Sequence, residues 1–151
     1  MAKIELTTMC MIYNKNNNKV LVQNRIKSWP GITFPGGKLD DNEGIIEATI
    51  REVKEETGLI VSNLESCGII HWYNTDTKDR YLVFNYRTDT YYGNLIDKTN
   101  EGEVFWVDVN ELPNLNLSSG FKERLPMFLN KQYLEGLGIW NQKKSQPIKW
   151  Y

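Results

Sequence analysis

The sequence predicts a mixed α/β fold, with strands in a mixed sheet and two helices that fit an α/β/α sandwich. Two features point there. Short runs rich in β-branched, aromatic and other apolar residues recur between polar turns, and only two windows carry helical periodicity. One window, Ile45 to Thr57, contains neither glycine nor proline; the other runs from Gly120 to Tyr133.

Taken in order, Leu6 to Tyr13 stops at the cluster Asn14-Lys15-Asn16-Asn17-Asn18 and resumes as Lys19 to Arg25, which reads as a hairpin. A loop carrying Trp29-Pro30 leads to a short strand, Ile32-Thr33-Phe34, and then to Pro35-Gly36-Gly37. In the first helical window Ile46, Ile50, Val53 and Thr57 fall at intervals of four, three and four, so this stripe is expected to face the core. Gly44 stands at the N-cap with Glu47 three residues on, a capping box without its hydroxyl. Gly58 permits the left-handed turn that ends a helix. Strands follow at Cys67 to Tyr73 and Arg80 to Arg87, around a polar turn from Asn74 to Asp79. Tyr91 to Leu95 is a further short strand, and Val104 to Val107 suits a buried one. In the second helical window Pro126 either kinks the helix or marks a later start. Residues 136–151 form a Lys-rich, aromatic-ended tail with no assignable element.

Composition sets bounds. The chain of 151 residues is expected to form one domain, 1–151, with 40% hydrophobic and 25% charged residues. A net charge of -1 gives no electrostatic reason to expect a nucleic-acid polymer as partner. Cys10 and Cys67 lack metal-ligand spacing and read as reduced buried thiols. No run approaches a membrane span and the N-terminus has no apolar leader, so a cytoplasmic protein away from membranes is expected.

The chemistry concentrates in one stretch. From Gly37 the sequence reads glycine, five residues, Glu43, seven residues, then Arg51-Glu52-Val53-Lys54-Glu55-Glu56-Thr57-Gly58-Leu59. On a helix Glu52, Glu55 and Glu56 stand at i, i+3 and i+4, and carboxylates so crowded repel one another unless cations compensate. A hard divalent cation with oxygen ligands supplies that compensation, and the Gly36-Gly37 turn offers a bare carbonyl as a further ligand. Arg51 is placed to pair with Glu47 or Glu43 and brace the loop against the helix. Any one of these glutamates alone reads as solvated surface; their joint spacing reverses that.

The segment resembles the signature of the Nudix hydrolases at Gly37, Glu43, Arg51, Glu52, Val53, Glu55, Glu56, Gly58 and Leu59. Asn42 and Gly44 stand where glycine and a hydroxyl residue are common. The resemblance implies a Nudix-type α/β/α sandwich with a mixed β-sheet and a loop-helix-loop box. It also implies cleavage of a nucleoside diphosphate linked to another group, with Mg²⁺ or Mn²⁺ held by Gly37, Glu52, Glu55, Glu56 and a further acid. For that acid Glu103 is preferred over its neighbour Glu101. Glu55, Glu56 or Glu103 is expected to take the proton of the attacking water, with Glu52 and Arg51 completing the catalytic set. Arg25 and Lys38 are expected to meet the substrate. Phe34, Trp72, Tyr73 and Tyr81 are candidates to stack the base, and Asn116 or Asn114 to read its edge. His71 is read as structural. The compact length and the contexts of Arg25 and Phe34 are similar to MutT-type 8-oxo-dGTP diphosphatases. Tyr73 keeps diadenosine polyphosphate hydrolases as the alternative, whereas no proline follows the box as in ADP-ribose-cleaving members. A nucleotide-sensing module without catalysis is a third reading, disfavoured because every box glutamate is present. Many relatives are homodimers, and the aromatic tail is a candidate interface.

Overall fold

The computed structural model describes residues 1–151. The strands are β1 Ile4–Asn14, β2 Lys19–Arg25, β3 Gly31–Thr33, β4 Gly36–Lys38, β5 Leu59–Ser62, β6 Glu65–Asn74, β7 Arg80–Thr88, β8 Thr90–Gly93, β9 Lys98–Thr99, β10 Gly102–Asp108, β11 Glu135–Trp140 and β12 Lys149–Trp150. The helices are α1 Ile45–Thr57 and α2 Phe121–Leu129, with a 3-10 turn at Val109–Asn114. Ten strands share one mixed sheet whose main path runs β12-β11-β6-β7-β1-β2-β10-β9, with β3 beside β2 and β4 beside β1; β5 and β8 form a separate pair. Both helices occupy the expected windows, α2 being shorter because Gly120 is left-handed and the helix ends at Asn130.

Strand β1 organises this arrangement. It runs parallel to β7 from Ile4 to Ile12 and antiparallel to β4 through Thr7–Lys38, Thr8–Gly37 and Met9–Gly36. The expected hairpin with β2 exists, yet its register covers only Tyr13–Val20 and Asn14–Lys19 before the strands part. Alternation along β1 divides the interior into two cores. Cys10 and Ile12 join Leu21, Val53, Leu59, Val61 and Val104 on the α1 side, while Met9 and Met11 join Phe34, Phe121, Leu125 and Phe128 on the α2 side.

Helix α1 starts at Gly44, whose N–H donates to Glu47 Oε1 at 3.0 Å, and ends at Gly58 with φ 79°. The buried stripe differs from the expected one. Ala48, Thr49, Val53, Glu56 and Thr57 face inward, whereas Ile46 is 44 % exposed. The helix is rotated so that a carboxylate turns inward, and Thr49 shares a hydroxyl hydrogen bond with Thr8 that fixes this rotation against β1. The tail supplies β11, parallel to β6, and β12, with Trp150 stacked on Tyr133 at 4.6 Å.

Phe34 requires correction as a base-stacking candidate. It is fully buried, and its ring meets those of Phe121 and Phe128 edge-on, each at 5.0 Å between centroids. It pins α2 to the strand that leads into the glycine turn. Phe34→Ala should therefore lower unfolding stability by about 3–5 kcal/mol, read by denaturant titration. A stacking residue on an open surface would instead leave stability nearly unchanged.

Candidate active site

The acids of α1 lie against the glycine turn because the turn has no side chains to exclude them. A Cβ on Gly36 would strike the Thr8 carbonyl, and one on Gly37 would strike the Glu52 carboxylate. Gly36 N–H donates to Glu56 Oε2 at 3.0 Å, so the turn also supplies a hydrogen bond to the innermost acid.

Arg51 ties the loop to the helix. Its Nε and Nη2 grip Glu43 at 2.6 and 2.9 Å, Nη2 also donates to the Lys38 carbonyl at 2.9 Å, and Nη1 donates to Glu52 at 2.8 Å and to Glu55 at 3.3 Å. Of its two expected partners it takes Glu43, since Glu47 is committed to the helix cap. The fork holds the Glu43 carboxyl down to about 2. Arg51 thus acts as a positioning residue.

The remaining acids are under opposite pressure. Burial pushes Glu56 up to about 8, opposed by the Gly36 N–H and reinforced by Glu52; Arg25 pulls it down and Glu101 pushes it up. Burial likewise raises Glu52, against the pull of Arg51. Glu55, 59 % exposed, is the solvent-facing member. No three acid, cysteine or histidine side chains converge on a ready-made coordination sphere, because Arg51 draws Glu52 and Glu55 toward itself. The donors nevertheless fit a hard divalent cation: all are oxygens, and two are carboxylates whose charge the fold buries without full compensation.

The other sequence-derived candidates separate into groups. Arg25 lies close enough to Glu56 to lower its pKa, while its Nε donates to the Ser28 carbonyl at 3.0 Å. Glu103 requires correction. It is exposed, pairs across the sheet with Asn24 and shares the face of Phe105, which packs on the α2-side core. Glu101 is the acid that Glu56 senses. Gly102, at φ 136°, turns the chain between them, and that glycine was the available signal. Lys38 pairs with Glu5 at 2.6 Å and points to the α2 side. Trp72 and Tyr81 border the core on that same side, and Tyr73 lies under the Arg80 guanidinium at 4.5 Å on the other. Asn116 is exposed, and it is its backbone carbonyl that accepts from Ile32 N–H at 2.9 Å. His71 lies between Arg80 and Glu135, at 2.9 and 3.4 Å, away from the box. A cavity of about 290 Å³ opens elsewhere, between Lys19, Leu59, Tyr91 and Trp106, and contains none of the box acids.

The elevated Glu56 carboxyl sets a pH dependence. Its folded pKa of about 8 exceeds the ordinary 4.5, so its contribution to stability is complete below about pH 4.5 and is lost as pH rises through 8. Chelator-treated protein should melt at progressively lower temperature between pH 6 and 9. Glu56→Gln should flatten that slope, and a divalent cation should restore melting temperature most at the alkaline end, because binding competes with the proton. Equal slopes for both proteins in a thermal melt series would contradict the assignment.

Comparison with known proteins agrees with the geometry. The NUDIX domain model matches residues 3–128. The chain is 27% identical over 137 residues to the uncharacterized Nudix hydrolase YvcI of Bacillus subtilis, covering 89% of this chain and 85% of that protein. It is 36% identical over 78 residues to an 8-oxo-dGTP diphosphatase of Proteus vulgaris, covering 50% and 67%. In fold it is similar to the crystal structure of a mutator MutT protein from Bacillus halodurans, with a TM-score of 0.79, 21% identity and 97% of each chain covered. A family model spanning most of the chain, a sandwich of the MutT kind and acids gathered at a glycine turn lead to one conclusion: this chain belongs to the Nudix hydrolase family.

Proposed function

We propose that the chain hydrolyses the diphosphate linkage of a nucleoside triphosphate, an oxidised purine deoxynucleotide such as 8-oxo-dGTP, to the monophosphate and pyrophosphate. The observation that carries the reading is the buried Glu56 carboxylate beside Glu52 under the Gly36–Gly37 turn, an arrangement costly to the fold and suited to a cation. The similarity to the Proteus vulgaris 8-oxo-dGTP diphosphatase supports the substrate.

Glu52 and Glu56, with Glu55 and the Gly37 carbonyl, would hold Mg²⁺ or Mn²⁺. Such an ion supplies charge neutralisation and Lewis acidity at the diphosphate oxygens. Arg25 adds a fixed positive charge beside Glu56 for a substrate phosphate. Of the acids proposed to take a proton from the attacking water, Glu55 is favoured because it is exposed on the same helix face. Glu101, whose charge acts on Glu56, is the further acid we put forward in place of Glu103. Arg51 keeps Glu52 and Glu55 aligned through the Glu43 fork.

The test is formation of nucleotide products with Mg²⁺, separated from substrate by chromatography, over 8-oxo-dGTP, the normal deoxynucleoside triphosphates, ADP-ribose, NADH and diadenosine polyphosphates. The highest kcat/KM is expected on 8-oxo-dGTP; a higher value on another compound overturns the substrate and keeps the site. Glu56→Gln should cut turnover about 10²–10⁴-fold, and turnover within a few fold of wild type would sink the assignment. Arg51→Lys, which loses the two-pronged grip, should cost about 10–100-fold in activity or metal affinity.

A further inference from the structure

Arg124 is a cation that the fold buries without an acid. It stands on α2 facing the sheet, part-buried, and no salt bridge reaches it. Its Nη2 makes two long contacts, to Asn85 Oδ1 at 3.4 Å and Met9 Sδ at 3.6 Å, and its Nε, like that of Arg87, is sealed from solvent with no acceptor. Burial lowers its pKa only to about 10, so the charge persists at neutral pH. Arg87 on β7 shows what structural use of an arginine looks like in this molecule: it caps α2 through the Phe128 and Leu129 carbonyls at 3.1 and 3.3 Å and reaches Glu65 at 3.7 Å. Arg124 has no comparable set.

Its surroundings describe a ligand. Met9 pairs with Gly36, so Arg124 touches β1, the strand paired with the box turn on β4, on the face opposite α1. Register places Glu5 opposite Tyr81 and Tyr81 opposite Trp72, so two half-buried aromatics lie on this face, and Lys38 reaches Glu5 from the box side. Arg124 itself lies within 6.0 Å of the Phe121 ring. Trp72 and Tyr81, both half-buried, offer aromatic surface to a planar ring, while the buried Met9 and Phe121 back the guanidinium that would meet an acceptor on the ring's edge. A phosphate would call for several cations and backbone N–H groups, and Lys38 is already committed to Glu5.

We propose that Arg124 selects the base, its guanidinium donating to the exocyclic carbonyl of a 6-oxopurine, so that guanine-type nucleotides, oxidised ones included, are taken over adenine nucleotides. An adenine amine would set donors against donors and leave the guanidinium unpaired. This rests on the nucleotide reading above and narrows its substrate class.

Binding of the monophosphates dGMP, dIMP and dAMP, measured by calorimetry without metal, tests it independently of hydrolysis. Wild type should bind dGMP and dIMP at least tenfold tighter than dAMP, since inosine keeps the carbonyl and lacks the guanine amine. Arg124→Met should erase that preference, weakening dGMP about tenfold or more and leaving dAMP within about twofold, and Arg124→Lys should recover part of it. The proposal is overturned if dAMP binds as tightly as dGMP, if dIMP behaves like dAMP, or if Arg124→Met weakens all three and inorganic pyrophosphate alike. Should Arg124→Met fail to fold, equal wild-type affinities still overturn the proposal, and a narrowed dGMP-over-dAMP ratio in Arg124→Lys supports it, whereas an unchanged ratio there overturns it. Hydrolysis of adenine nucleotides with no oxopurine preference refutes the role of Arg124 and keeps the hydrolase. The oxopurine preference without hydrolysis of any nucleotide does the reverse.

Discussion

Carboxylates crowded on one helix face repel, and Arg51 is what makes the crowding tolerable. One guanidinium joins Glu43 on the entering loop, the Lys38 carbonyl at the end of β4, and Glu52 and Glu55 on the helix. Its planar fork fixes direction as well as charge, which a lysine ammonium cannot do. The loop, the turn and the helix therefore move as one piece. Glu56 alone stands outside this grip, answered only by the Gly36 N–H and by the charge of Arg25. The fold thus satisfies the acids that hold the scaffold and leaves one acid at the centre with a single backbone donor.

The sheet serves both sides of that piece. Because side chains alternate along β1, Thr8 can hold α1 through Thr49 while Met9, the next residue, supports α2 and touches Arg124. The helix bearing the acids and the helix bearing the unpaired cation are set by neighbouring residues of one strand. The acidic face and the face bearing Arg124 are thereby built back to back around β1 and β4.

Much of this was legible in the chain. The bounds of α1, its glycine caps and the role of Arg51 follow from local rules that need no tertiary partner. What escaped depended on distant contacts. Ile46 belongs to a periodic stripe, yet the Thr8–Thr49 bond rotates the helix so that Glu56 takes the inward place. Phe34 looks like an exposed platform until Phe121 and Phe128, nearly ninety residues on, close over it. Glu101 and Glu103 flank the positive-φ Gly102, and only the folded chain shows that Glu101 is the one whose charge acts on Glu56. The tail shows no apolar alternation because the buried positions of β11 are Gly136 and Gly138, against which Trp150 and Trp72 lie, and β12 is only two residues long. Arg124 carries no local signal, since its meaning lies in the acid it lacks.

The parallel pairing of β1 with β7 has a consequence during synthesis. The central strand of the sheet leaves the ribosome first, but its longest ladder waits for residues 80–88. Until then β1 has β2 at two positions and β4 at three, and α1 emerges with its charged face formed before the platform beneath it is complete. Contacts of such long sequence separation slow the closing step and leave the edge of β1 open to other strands in the meantime. For a nascent chain of this topology the vulnerable interval is the passage between the end of the box and the end of β7, where a pause in translation would expose an unpaired apolar strand for longest.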